Sequence, residues 1–429
     1  MPQPGGPPAY VGVSLRMVGA SAVVLREGAA LAVPGAYPPD HVDTIVADVI
    51  RLAGPARVEA VTLDLSGLLL SQILSRSTPV APLAAVRIVP RAASDPGLAR
   101  SPARSVERLI GRRFTVPGGH DLLGNELRPL DLPALGAMCA ELADADVRQV
   151  AIVGSGSQRR PDHERAVADA VQAAVPGAQI SVASDFGGRG LVAREATVVL
   201  DCALRPPAYA VLDAWEKALR LADPRIALRV GRGDGGYSTP ARVRTLPVVV
   251  LGARDALEIG GAASLAGLRD CRVVLPRPDG WVAGHVRHGL TTVRSGEFAG
   301  IGTELVVPTA ALTPESDDSG QHHRRLADEP VIVAEQDPEL LAGVGAALSR
   351  PTAWLDEIAY IESADELERV RRDAEDRATG IVMANGAAAG SAYLAEVSTV
   401  GVPYSPSGMI RIRVRVAGAP DTGPAEHWT

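Results

Sequence analysis

Two strand–turn–strand segments, residues 10–25 and 271–287, constrain this chain more than any other feature. Each joins two short apolar runs through a connection too brief to hold a helix, the pattern of an antiparallel hairpin. They sit in the two halves of a 429-residue chain in which strand-like and helix-like patterns alternate. Alternation of that kind predicts an α/β protein, and its length predicts two or three domains.

Local patterns fill in the frame. Strands are predicted at 10–15, 21–25, 29–34, 58–65, 149–155, 179–183, 226–230, 246–251, 271–275, 282–287, 331–334 and 409–416. Helical spacing of Val42, Ile45, Val46, Val49 and Ile50 after Asp40 predicts a helix there. Further helices are expected at 132–144, after Asp162, at 209–222, at 338–349 and at 364–379. Residues 1–9 and 419–429 read as tails, 90–113 as a surface excursion, and the polar stretch 312–328 as a linker. Hairpins facing each other across a cleft are how actin-like ATPases hold a nucleotide, so the expected architecture is two-lobed and actin-like. The first lobe is placed at 10–186 and the second at 187–311 and 329–418.

Composition excludes several functions. Net charge is −7 and aromatics make up 3% of the chain, which argues against a nucleic-acid partner. Lys217 is the only lysine, so the many arginines reflect biased composition rather than selection for Arg chemistry. Cys139, Cys202 and Cys271 are too sparse and too far apart for a zinc or disulfide pattern, and fit a reducing compartment. No apolar run is long enough to span a bilayer, and the first residues lack a charged or apolar leader pattern. A cytoplasmic location and no membrane partner are expected.

Several ordered stretches carry a resemblance. Residues 116–131, VPGGHDLLGNELRPLD, are similar to the SGGHxxxGxExxPLD segment of the hydantoinase A/oxoprolinase family. Residues 161–164, PDHE, are similar to its PxHE helix start, and 187–204 to its GRIGLLERENAAILNAAL. Asp234-Gly-Gly sits where the family carries an Asp-Gly pair. Residues 345–358 resemble its GAAIAxVxGxVDxI helix, and 402–418 its ending. The resemblance implies an actin-like fold shortened relative to the family. It also implies ATP-dependent opening of cyclic amides such as hydantoins or 5-oxoproline, with a B-type subunit as partner.

The nucleotide loops depart from that pattern. The family places Asp-x-Gly-Gly-Thr-x-x-Asp in both hairpins, where small residues admit phosphate to backbone N–H groups and carboxylates hold Mg²⁺. In the first hairpin those places hold Ser14, Arg16, Met17, Val18 and Ser21. In the second they hold Leu275, Arg277, Pro278 and Val282, with Asp279 where a hydroxyl would face phosphate. Proline has no N–H to offer. Leu65-Ser-Gly replaces Gly-Thr-Thr, and Ala334 to Asp337 replace an adenosine-side glycine run. The expectation is an ATPase-defective chain with no bound cofactor and no metal, ATP and Mg²⁺ entering only if the loops are misread. It would act as a partner subunit or bind a small molecule. The alternative is an active cyclic-amide hydrolase.

For catalysis the candidates are His120, Asp121, Arg194, Glu195 and Asp234. His120 reads more readily as a buried turn histidine satisfied by backbone, and Arg194 with Glu195 as an ion pair on one helix. The 154–157 loop, GSGS, lacks the P-loop lysine and reads as a turn; the glycines around Asp234 suit a strand-end turn. His285 and His288 would fall on opposite faces of a strand, and His322 and His323 in the linker. A repurposed kinase or acyltransferase would need a magnesium carboxylate that neither loop offers.

Overall fold

The computed structural model describes residues 7–34, 37–75, 83–91, 102–298, 300–315, 329–403 and 405–421. The first hairpin pairs Pro8–Arg16 with Gly19–Arg26 in continuous register from Ala9↔Arg26 to Arg16↔Gly19. Ala29–Ala32 extends it antiparallel, and Arg57–Asp64 adds a parallel strand on the other side of Pro8–Arg16. The second hairpin repeats this plan. Cys271–Arg277 pairs with Gly280–Arg287, Leu290–Thr291 continues antiparallel, and Val331–Val333 runs parallel to Cys271–Arg277. One folding unit therefore occurs twice, which defines the two-lobed, actin-like α/β fold expected from the hairpins.

The lobe boundary at 186 needs correction. Ala227–Gly231 pairs parallel with Arg57–Asp64, so the first sheet takes its fifth strand from beyond that limit. Between lies a separate four-stranded parallel sheet, in the order Gln179–Val182, Gln149–Gly154, Leu83–Val89, Ile110–Pro117. It carries its own apolar core, including Val86, Ile88, Leu142 and Ile152. Helix Leu132–Asp144 on this sheet starts where Asp131 accepts from the Ala134 N–H at 3.0 Å, an N-cap.

Other differences have local causes. The helix expected at 209–222 runs Leu191–Ala222, through Pro206 and Pro207. A proline there removes a donor to the carbonyl four residues back, and the Gln149 side-chain amide donates to the freed Cys202 carbonyl at 3.3 Å. The strand expected at 246–251 is a 3₁₀ helix, Pro247–Val250, because Pro247 has no N–H for a ladder. The 345–358 stretch is not one helix: Pro338–Leu348 ends before Pro351, and Thr352–Tyr360 is a strand pairing with Met409–Ala417. The expected excursion at 90–113 contains a short helix, Arg104–Glu107, and the strand Ile110–Pro117. Pro8 already belongs to a strand, inside the expected tail, and Thr313–Glu315 pairs with Gly280–Arg287. The rest of the linker, with His322 and His323, lies outside the described residues.

Helix Pro338–Leu348 ties the lobes together. A Cβ on Gly12 of the first hairpin would lie 1.8 Å from the Gly343 carbonyl, and one on Gly345 would lie 2.0 Å from the Leu257 carbonyl of helix Ala253–Leu265. Only glycine permits such backbone contact, so this helix is wedged directly between a first-lobe strand and a second-lobe helix.

Candidate functional site

The cleft between the hairpins is where an actin-like fold would hold a nucleotide. At the first tip, Arg16 pairs with Gly19 across a turn whose Met17 and Val18 are exposed. At the second, Arg277 pairs with Gly280 across Pro278 and Asp279. Leu275 and Val282 face each other in register; Leu275 is fully buried and Val282 partly so, within the apolar core of the second lobe.

The polar side chains of the cleft bind one another. Arg16 meets Glu339 at 2.7 Å, and Ser21 donates to the same carboxylate at 3.3 Å. Arg254 reaches Glu339 at 2.6 Å and Glu258 at 2.7 Å. Arg277 reaches Glu258 and Asp255, each at 2.7 Å. Asp64 accepts from the Ser66 N–H and hydroxyl at 3.0 and 2.6 Å and from Ser14 at 3.4 Å. Three arginines are thus balanced by Glu339, Glu258 and Asp255. Burial pushes the Glu258 carboxyl above its usual pKa against the pull of Arg277 and Arg254. Burial likewise raises Asp64, opposed chiefly by its Ser66 bonds.

The catalytic candidates fall in separate places. His120 is buried, with Nε2 3.5 Å from Asp162 and Nδ1 unpartnered. Burial lowers its pKa against the pull of Asp162, so backbone does not satisfy this ring as expected. Asp121 accepts from the N–H groups of Leu123 and Asn125, both at 2.8 Å. Burial would raise its pKa, but these bonds and that of the Asn125 side chain hold it low, the role of a turn residue.

Arg194 and Glu195 do not pair with each other, because adjacent helical residues point apart. Arg194 donates to the Gly154 carbonyl at 3.0 Å and to Ser157 Oγ at 2.5 Å, and lies 3.5 Å from Glu164. Glu195 binds Arg87 and Arg113 on the other side. Glu164 is the hub that sequence reasoning missed. It accepts from Gly154 N, Ser157 Oγ and Ser184 N at 2.7, 2.5 and 2.8 Å. Its only signal was the PDHE match. Asp234 is remote from all of these, fully buried, and accepts from Thr352 at 2.9 Å and Arg232 at 3.2 Å. Burial would raise its pKa, but Arg232 and Arg415 hold it below the usual range.

His120, Glu126 and His163 bring ligand-type atoms within 4.8 Å of one another. The ring of His163 is nonetheless committed. Its Nδ1 accepts from the Gly119 N–H at 2.9 Å, so Nε2 carries the proton it shares with Glu126 at 3.1 Å. A metal would have to displace one of those bonds. His288 lies beyond the strand that ends at Arg287, in a turn with φ of 52°, and His285 lies 3.4 Å from Glu329.

A duplicated hairpin-and-parallel-strand core with a cleft between its halves places this protein in the two-lobed actin-like class. Two solved structures share that fold across nearly the whole chain. One is nucleotide-free acetone carboxylase, from work on ATP-dependent acetone carboxylation, with TM-score 0.67 and 11% identity over 97% of this chain and 88% of that one. The other is the ATP-dependent caprolactamase from Pseudomonas jessenii, with TM-score 0.70 and 12% identity over 95% and 87%. At such identities the likeness is one of fold. No curated protein matches by sequence. Residues 91–175 match the model of the hydantoinase/oxoprolinase N-terminal region. Among the described residues no helix is long and apolar enough to cross a membrane.

Proposed function

We propose that this chain is a hydantoinase/oxoprolinase-family member that has lost Mg-ATP chemistry and serves as a partner subunit or a small-molecule-binding scaffold. The observation that carries this reading is the closed ionic network linking Arg16, Glu339, Arg254, Glu258 and Arg277. A magnesium triphosphate does not fit these residues. Its metal would need carboxylates that are already committed, and its phosphates would need arginines that are already neutralised. Pro278 also lacks the N–H that a phosphate loop supplies. Entry would break several partly buried ion pairs at once, each leaving an uncompensated charge.

The active-hydrolase alternative has less support. Its residues His120, Asp121, Arg194, Glu195 and Asp234 do not converge on one cavity, and three of them are buried in structural ion pairs. The partner role draws support from Leu122, Leu123, Leu127 and Leu132, all exposed on one segment beside the His120 turn. Exposed apolar clusters mark interaction surfaces, and a B-type subunit is the partner that the family suggests.

Titration calorimetry with Mg-ATP tests the central claim. No saturable heat is expected up to about millimolar nucleotide. Micromolar, magnesium-dependent binding would overturn it.

A further inference from the structure

A cavity of about 750 Å³ lies apart from the hairpin cleft. It forms where residues 184–187, the helix Pro240–Thr245 and the strand Thr352–Tyr360 meet. Its size is within the range of small-molecule sites, roughly 300–1,000 Å³.

Several charges on its wall are spoken for. Arg232 is held by Asp234, Asp356 by Arg411 and Ser295, and Arg377 by Glu357. Two are not. Half-buried Arg242 makes no side-chain hydrogen bond or ion pair among the described residues. The same holds for Asp185, which sits exposed at the cavity's edge. The two attract each other across the space but lie farther apart than an ion pair. Trp354 and Gln158 also line it. Phe186, Leu246 and Val249 supply an apolar side.

A half-buried guanidinium without a carboxylate is costly unless something completes it. Here half-buried Arg242 shares the cavity with Asp185 at its edge and with an apolar side. The complement is a molecule that carries both charges close together beside an apolar group. We infer that this cavity binds a free amino acid with an apolar side chain. Its carboxylate lies against Arg242, its ammonium against Asp185, and its side chain against Phe186, Leu246 and Val249. This inference rests on the small-molecule part of the functional reading and is independent of the nucleotide part.

The experiment is calorimetry on the full chain with three probes: L-phenylalanine, N-acetyl-L-phenylalanine and L-phenylalaninamide. Phenylalanine is expected to bind saturably, and loss of either charge on the probe to weaken binding by about tenfold or more. Arg242→Gln should abolish the preference for phenylalanine over its amide. Asp185→Asn should abolish the preference over the N-acetyl derivative. Neither side chain supports another, so both variants should melt with the wild type. Trp354→Phe keeps the cavity's shape and should remove a ligand-dependent change in tryptophan fluorescence. The inference is overturned if phenylalanine shows no saturable binding up to about 10 mM. It is equally overturned if the neutralised probes bind as well, or if both charge variants bind like the wild type. Mg-ATP titrated in parallel separates the two claims: nucleotide binding would defeat the loss of ATP chemistry alone, and failure of phenylalanine would defeat this inference alone.

Discussion

Arg16, at the tip of the first hairpin, is joined at 2.7 Å to Glu339, in the first turn of the helix wedged between the lobes. On the proposed reading, this bond stands where an actin-like nucleotide would meet its first phosphate loop. Its energetic weight lies deeper. Glu258 is fully buried and answers both Arg254 and Arg277. Removing one member of a buried pair costs about 3–5 kcal/mol, so Glu258→Gln should lower stability by that order in urea titrations. Arg16→Gln, which removes a side chain 42% exposed and leaves Glu339 with Arg254, should cost no more than about 1 kcal/mol. Equal losses for the two variants would refute the idea of a buried electrostatic clamp.

How far this was legible depends on how local the causes are. The hairpins, the capped helix Leu132–Asp144 and the closing strand Met409–Ala417 follow from short-range patterns, and the sequence reading located them within a few residues. The clamp was not legible, because Arg16, Arg254, Arg277, Glu258 and Glu339 are scattered charged residues with no motif spacing. Leu275 and Val282, at two of the emptied loop positions, pack in the apolar core of the second lobe. Beside them, the charged side chains of the cleft pair with one another. Helix Leu191–Ala222 was cut short because Pro206 and Pro207 look like breakers until Gln149 is seen at the freed carbonyl. The three-stranded sheet at the end of the chain lost a strand to a helical resemblance that continued past Pro351.

Direct backbone contact at Gly345 makes the wedge intolerant of a methyl group. A Cβ there would lie 2.0 Å from the Leu257 carbonyl, an atom held in its own helix. Gly345→Ala should therefore cost about 3 kcal/mol or more by overpacking, despite alanine's better helix propensity. Gly136, in helix Leu132–Asp144, has nothing within 4 Å of its virtual Cβ. Gly136→Ala should instead stabilise by about 0.5–1 kcal/mol. Thermal unfolding of the two single variants decides the point, and a neutral Gly345→Ala would show that the lobes can separate freely.

Arg194 offers a test of geometry against charge. It serves the Gly154 carbonyl, Ser157 and Glu164 together from the core, where burial lowers its pKa against the pull of Glu164. Lysine keeps the charge but not the planar fork, and cannot satisfy all three. Arg194→Lys should cost about 2–4 kcal/mol by leaving buried acceptors unpaired. Since this cluster is structural, ligand binding at the Arg242 cavity should change little in any Arg194→Lys protein that remains folded. Loss of binding at full stability would mean that the cluster belongs to the binding site.

Asp201 gives the protein a pH dependence whose sign can be worked out. It is fully buried in helix Leu191–Ala222, accepting from Ser181 at 2.7 Å and from Val248 N at 3.2 Å. Burial pushes its pKa from 3.8 up to about 6, against Arg205 and these hydrogen bonds. A carboxyl raised on folding holds a proton that the unfolded chain has released. Its contribution is most favourable below pH 3.8 and is lost as pH rises toward 6, after which the penalty is constant. Two pKa units correspond to about 3 kcal/mol as an upper bound. Asp201→Asn cannot ionise, and its amide can still donate to Ser181 Oγ while its carbonyl accepts from Val248. Measured by urea denaturation, the stability of Asp201→Asn relative to wild type should climb between pH 4 and pH 6 and level off above. A difference that stays flat across that window would mean that Arg205 keeps the carboxylate charged in the core.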